Sequence, residues 1–183
     1  MTDLFRGLWE KIISGFGQAG VPEVSVGELA LVVLIATVLS IPRATWKYFG
    51  LMATVTHELG HAFAALMSGQ RLGGIKLRLD HSGTTTSFSR GRLPAVWSGF
   101  WGYPVPAVTG AALVWSGFNG WGPAAMSVGT LILLAALVFI RNAIGLLIML
   151  AAAIVAAALV LFVPAELTGH VVIILGLAFL GRC

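Results

Sequence analysis

Two histidines and a glutamate stand within five positions of an otherwise apolar stretch: His57, Glu58 and His61, in the pattern His-Glu-x-x-His. On an α-helix, residues four apart lie one turn above the other, so the two imidazoles can converge on one metal ion. Imidazole nitrogens are preferred ligands of zinc. Glu58 is offset around the helix, where its carboxylate can take a proton from a water molecule. The pattern predicts a zinc site with His57 and His61 as ligands and Glu58 as the catalytic base.

A purely structural explanation of these residues is a buried polar cluster that holds helices together. Such a cluster requires no particular order or spacing, whereas a metal site requires both. Ionisable residues inside an apolar span are costly and are usually functional. The metal site is therefore the better explanation. Gly60, between the histidines, would also allow close helix packing, which is compatible with either explanation.

The composition indicates a protein embedded in lipid. Hydrophobic residues make up 58% of the 183 positions and charged residues 10%, whereas soluble domains carry about 25% charged residues. The net charge of +4 comes from residues in short loops and near helix ends, and no basic helix with interleaved aromatics suggests a nucleic-acid partner. The single cysteine, Cys183, excludes an intramolecular disulfide and a cysteine-based zinc site.

The elements that must position the motif are mostly apolar helices. We predict an all-α polytopic membrane protein of about six transmembrane or re-entrant helices. The candidate segments are 25–41, 46–68, 94–117, 123–140, 143–163 and 165–181. Pro104 and Pro106 predict a kink or break in the third of them. These segments form one domain over 25–183. Residues 1–20 form an amphipathic helix, which lies at the membrane surface or packs on the bundle as a solvated helix.

Over residues 72–90 the hydrophobic pattern changes from a helical period to a period of two residues. Apolar and charged residues alternate around Ile75, a turn is expected at 81–83, and 84–89 is rich in β-prone residues. We predict a β-hairpin at the membrane surface, with His81 as a solvated turn residue. The loop at 70–92 also holds the densest cluster of Lys and Arg, which predicts that it lies on the cytoplasmic side.

The segment THELGHA at 56–62, followed by a basic β-hairpin and a Pro-containing span, resembles the site-2 protease family of intramembrane zinc proteases, in particular its short bacterial branch. GYPVPA at 102–107 and Arg141-Asn142 are similar to further family elements. The resemblance implies a zinc-dependent endopeptidase of the bacterial cytoplasmic membrane. It would hydrolyse a peptide bond in or beside a transmembrane helix of a membrane-protein substrate. It also implies that an extended substrate adds as a strand to residues 73–79 or 84–89.

The family supplies a third zinc ligand, an Asp, from a later span, and this chain has no late Asp. The remaining late candidates are Asn142, Glu166 and His170. His170 is expected to be an interfacial histidine, and Glu166 to lie at a helix N-terminus, where the helix dipole stabilises it. We therefore expect that the acidic ligand follows Cys183 in a longer native chain.

Two other functions stay open. A non-catalytic membrane adaptor that keeps the fold would explain the missing acidic ligand. A small-solute transporter would explain the Gly- and Pro-interrupted spans, but matching half-repeats are not visible. The sequence specifies neither the substrate nor the oligomeric state.

Overall fold

The chain folds into helices with one small sheet. The computed structural model describes residues 2–181, and the side chains from residue 5 onward. Cys183 and the other terminal residues lie outside this part. The helices are α1 (Thr2–Ser14), α2 (Val26–Ser40), α3 (Arg43–Met67), α4 (Arg92–Trp101), α5 (Pro104–Phe118), α6 (Gly122–Ala136), α7 (Ala143–Phe162) and α8 (Ala165–Leu180). The strands are β1 (Arg71–Leu77) and β2 (Gly83–Phe88).

The first helix packs on the bundle. Ile12 is buried with Met126 of α6, Val160 of α7 and Val172 of α8, while Trp9 is exposed. The predicted amphipathic helix spans 1–20, whereas helix α1 ends at Ser14. Its position relative to a lipid surface stays a prediction.

Six spans are not confirmed. In the described part of the chain, two helical stretches are long and apolar enough to cross a membrane, Gly122–Phe139 and Ala143–Phe162. Helices α2 and α3 meet at an angle of 87° and would add one span as a bent pair. The bend is local in origin, because Pro42 restricts the residue before it and cannot continue the hydrogen-bond ladder of α2.

The predicted break near Pro104 is confirmed. Helix α4 ends at Trp101, and α5 begins at Pro104. Proline is well tolerated in the first turn of a helix because its missing N–H would have no partner there. The single predicted segment at 94–117 is therefore two helices, and the junction between them approaches α3.

The predicted hairpin is confirmed, with strands that begin and end slightly earlier than expected. The strands β1 and β2 are antiparallel, with Ile75 opposite Thr85. The hairpin runs back along α3. In its turn, Nε2 of His81 lies 3.2 Å from the carbonyl oxygen of Lys47, and Thr54 donates a hydrogen bond to the carbonyl of His81. The prediction of a solvated His81 is therefore wrong in part, because this residue is half-buried against α3.

Strand β1 is held on both edges. Ile75 pairs with Ile140 in a parallel bridge, and the N–H of Arg141 donates to the carbonyl of Ile75 at 2.9 Å. The amide of Asn142 then donates to the carbonyl of Leu77 at 2.7 Å and accepts from its N–H at 3.1 Å. Ile75 and Leu77 are almost fully buried in the cluster that α3 and α7 share. The hairpin is thus fixed against the bundle along β1.

Candidate metal centre

His57 and His61 lie one turn apart on the same face of α3, as the spacing predicts. Their Nε2 atoms are 3.0 Å apart, and the rings meet edge to face at 85°. Nδ1 of His61 lies 2.7 Å from the carbonyl oxygen of Ser98 in α4. Because a carbonyl only accepts, Nδ1 carries the proton, and Nε2 of His61 presents a lone pair toward His57. This tautomer is the one that a metal-binding histidine requires.

The junction between α4 and α5 lies against this pair. A Cβ atom on Gly102 would be 2.2 Å from Nε2 of His61, and the ring of Tyr103 meets the ring of His57 at 5.0 Å. Gly60 permits the approach, because a Cβ there would lie 2.8 Å from both the Trp101 carbonyl and Val105. At both positions a side chain larger than that of glycine would clash with these neighbours.

Glu58 points to the opposite neighbour, strand β2. The residue is buried, with 4% of its surface exposed. The hydroxyl of Thr85 lies 2.6 Å from Oε2 of Glu58 and 3.1 Å from its carbonyl oxygen. A Cβ on Gly83 would lie 2.5 Å from Cγ of Glu58. The same face of β2 continues to Ser87, whose hydroxyl donates to Gln70. Strand β2 therefore shapes the space around the carboxylate.

These residues line one cleft of about 380 Å³ between α3, α4 and β2. Its walls combine the three motif residues with small and polar side chains of β2 and α4. The lining residues are His57, Glu58, His61, Gln70, Gly83, Thr84, Thr85, Ser87, Ser89, Ala95, Ser98 and Gly99.

The late candidates for a third ligand do not join the pair. Within residues 2–181, no group of three or more His, Cys, Asp or Glu side chains is arranged to hold a metal. Glu166 is exposed in the first turn of α8, as expected. The ring nitrogens of His170 are buried without a hydrogen-bond partner, and the interfacial position expected for this residue stays a prediction. Asn142 is engaged by Leu77. The metal and catalytic roles of the motif residues stay predictions.

Sequence reasoning missed four contributors to the site: the Ser98 carbonyl, Gly83, Thr85 and Gly102. The period-two pattern of β2 indicates that residues 83, 85 and 87 share one face, but not that this face meets Glu58. Gly102 stands in a segment that was singled out by resemblance alone. Its contact with His61 depends on how α4 and α5 fold over α3.

A family model described as peptidase M50B-like matches residues 30–181. None of the curated proteins and none of the solved structures matches the chain. The matched range contains α3, the hairpin and all later helices, and thus the whole cleft.

Proposed function

Because the chain belongs to the peptidase M50B-like family of site-2 proteases, an integral-membrane metalloprotease fold, we propose that it is a zinc-dependent endopeptidase. It hydrolyses a peptide bond in or near a transmembrane helix of a membrane-protein substrate. The observation that carries the proposal is the pair of facing Nε2 atoms of His57 and His61, 3.0 Å apart, beside the buried carboxylate of Glu58.

The two imidazoles fit two positions of a zinc site, and within residues 2–181 no third ligand joins them. Two neutral imidazoles, one with its tautomer fixed by the Ser98 carbonyl, are ligands that zinc prefers. When bound, zinc supplies a Lewis acid that lowers the pKa of a neighbouring water and polarises a carbonyl. Glu58 takes the proton from the attacking water and transfers it to the nitrogen of the departing amine.

The substrate enters the cleft in an extended form, because the peptide bonds of a helix are shielded by their own side chains and hydrogen bonds. Strand addition can use only one edge of this hairpin. The outer edge of β1 is already filled by Ile140 and Asn142. The backbone of β2 makes its ladder with β1, and in the described part of the chain no other backbone pairs with it. We therefore assign the substrate strand to β2, the 84–89 alternative of the two.

The basic loop at 70–92 lies on the cytoplasmic side of a bacterial cytoplasmic membrane in this proposal, because Lys and Arg are retained on that side. In this proposal, Arg71 and Arg92 at the base of the hairpin lie at the cytoplasmic surface.

Zinc content of the purified, detergent-solubilised chain tests the metal site. Wild-type protein and His81→Asn bind zinc after reconstitution and removal of excess metal, and His57→Ala and His61→Ala lose it. His81→Asn is the matched control, because asparagine tolerates the positive φ of 65° at this position. Equal zinc in wild type and His57→Ala contradicts the proposal.

A non-catalytic membrane adaptor is the second candidate function. One observation favours it: within residues 2–181, no carboxylate or imidazole joins the two histidines as a third metal ligand. Glu58→Gln separates the two functions, because it removes the base and keeps both histidines. The protease loses cleavage of a dye-quenched transmembrane peptide while zinc is retained. An adaptor retains its cellular activity in the same variant.

A further inference from the structure

The hydroxyl of Thr85 makes the closest polar contact of the Glu58 carboxylate, with 2.6 Å between Oγ1 and Oε2. The two residues are 27 positions apart and belong to different elements, so this contact exists only because β2 packs along α3. An ionised carboxylate only accepts hydrogen bonds, and the hydroxyl of threonine can donate one. We propose that Thr85 is a positioning residue, which fixes the rotamer of Glu58 so that the carboxylate faces the cleft. This inference rests on the proposed function.

Two features of the strand support the assignment. Gly83, two residues earlier on the same face, leaves the space that Glu58 occupies, since a Cβ there would lie 2.5 Å from Cγ of Glu58. Ser87, two residues later, donates to Gln70, which in turn donates to the Pro94 carbonyl. The strand is therefore held in register on both sides of Thr85. A one-residue slip would turn Thr85 to the opposite face and remove the contact.

The alternating faces of β2 supply a matched control. Thr85 is half-buried toward Glu58, whereas Thr86 is exposed on the other face. Thr→Val keeps the β-branched shape and removes the hydroxyl at either position. A loss that follows from reduced strand stability appears in Thr85→Val and Thr86→Val alike. A loss that follows from the carboxylate contact appears in Thr85→Val alone.

The first measurement requires neither metal nor substrate. The infrared difference spectrum between wild type and Glu58→Gln isolates the carboxyl band of Glu58. Loss of a donated hydrogen bond shifts this band in Thr85→Val and Thr85→Ala, whereas Thr85→Ser and Thr86→Val leave it in place. An unchanged band in Thr85→Val overturns the proposal. Thr85→Ala decides the point if the valine variant does not fold.

The second measurement is kinetic, with fluorescein-labelled casein as an extended polypeptide substrate and the zinc-loaded protein. Thr85→Val lowers kcat by about 10- to 100-fold with KM and zinc content unchanged, the range expected for a lost hydrogen bond to a charged group. Thr85→Ser restores kcat, and Thr86→Val lowers kcat less than Thr85→Val does, because its side chain lies on the face away from Glu58. Equal falls in both valine variants, or a loss of zinc in Thr85→Val, overturn the positioning role.

The outcome is separable from that of the proposed function. If Glu58→Gln abolishes cleavage while Thr85→Val cleaves like wild type, the protease assignment stands and the role of Thr85 fails. If Glu58→Gln cleaves like wild type, the protease mechanism fails, and the infrared band still reports whether Thr85 holds the carboxylate.

Discussion

Asn142 and Leu77 form a closed pair of hydrogen bonds, in which the amide group of one side chain replaces a neighbouring strand. Nδ2 of Asn142 lies 2.7 Å from the Leu77 carbonyl oxygen, and the Leu77 N–H lies 3.1 Å from Oδ1 of Asn142. Leu77 is 1% exposed, so water cannot replace either bond. The two residues are 65 positions apart, the segment between them includes α4, α5 and α6, and this contact joins the hairpin to the start of α7.

Asn142→Ala should destabilise the protein by about 1–3 kcal/mol, because it leaves the buried N–H and carbonyl of Leu77 without partners. The free energy of unfolding in mixed detergent micelles measures the effect. Asn119→Ala is the control, since the amide of Asn119 bonds within its own helix to the Trp115 carbonyl and is exposed. Equal losses in the two variants would contradict the role of the pair.

Gly102→Ala should weaken zinc binding by about 10- to 100-fold, the range seen when a group that orients a ligand is disturbed. The added Cβ meets Nε2 of His61 at 2.2 Å, so the ring must turn and leave the Ser98 carbonyl. A competition titration with a zinc chelator measures the affinity. In Gly129→Ala the new methyl meets no atom within 4 Å, and the affinity should equal that of wild type. Wild-type affinity in Gly102→Ala would show that the junction does not constrain His61.

Gly83→Ala should lower kcat by about 100-fold, within the range for loss of a general base, and should retain zinc. The new methyl overlaps the Glu58 side chain, which is flexible and can swing away, so folding is largely preserved. Peptide cleavage and zinc content are measured on the same preparation. Gly27→Ala is the control, because its added methyl group meets no atom within 4 Å. Zinc loss together with activity would instead indicate collapse of the whole cleft.

The pKa of Asp80 should lie below the usual range for aspartate, about 3.9. The Ser82 hydroxyl and the Ser82 N–H both donate to Oδ1 of Asp80, and these bonds stabilise the ionised form. Since the folded-state pKa is depressed, the turn is fully stabilised above the unfolded value and loses this contribution as pH falls through the folded value. An NMR titration of the carboxyl carbon in detergent micelles measures the pKa. Ser82→Ala raises it, and Ser89→Ala, whose hydroxyl bonds to Gly91, leaves it unchanged.

Local sequence features predicted much of the local structure. The helix that carries the motif, the hairpin and the break before Pro104 each follow from periodicity or from proline within a short window. The two imidazoles can meet because residues four apart on a helix share one face, although their rotamers also depend on the neighbouring helices. Six spans are not confirmed, because only two helical stretches of the described chain, or three with the bent pair of α2 and α3, are long and apolar enough to cross a membrane.

The contacts that complete the site were not predictable, because each one joins distant parts of the chain. Ser98 contacts His61 through its backbone carbonyl oxygen, an atom that every residue possesses. Thr85 stands among three consecutive threonines, and only the register of β2 on α3 selects it. Gly102 is one of 23 glycines, and the resemblance of 102–107 to a family element does not predict its contact with His61. Such choices arise from tertiary packing, which composition and period do not encode.

The path of the hairpin along α3 has a consequence for solvent. From Glu58 to Met67, the part of α3 that β2 lies along, the helix rises about 14 Å, about half of a hydrocarbon layer about 30 Å thick. Strand β2 runs beside this part of α3. Its outer edge pairs with no other backbone in the described chain. Lipid does not tolerate bare N–H and carbonyl groups, so in a membrane placement with β2 at that depth the outer edge would have to face a wet crevice. In the proposed protease, this crevice would bring to Glu58 the water that hydrolysis consumes.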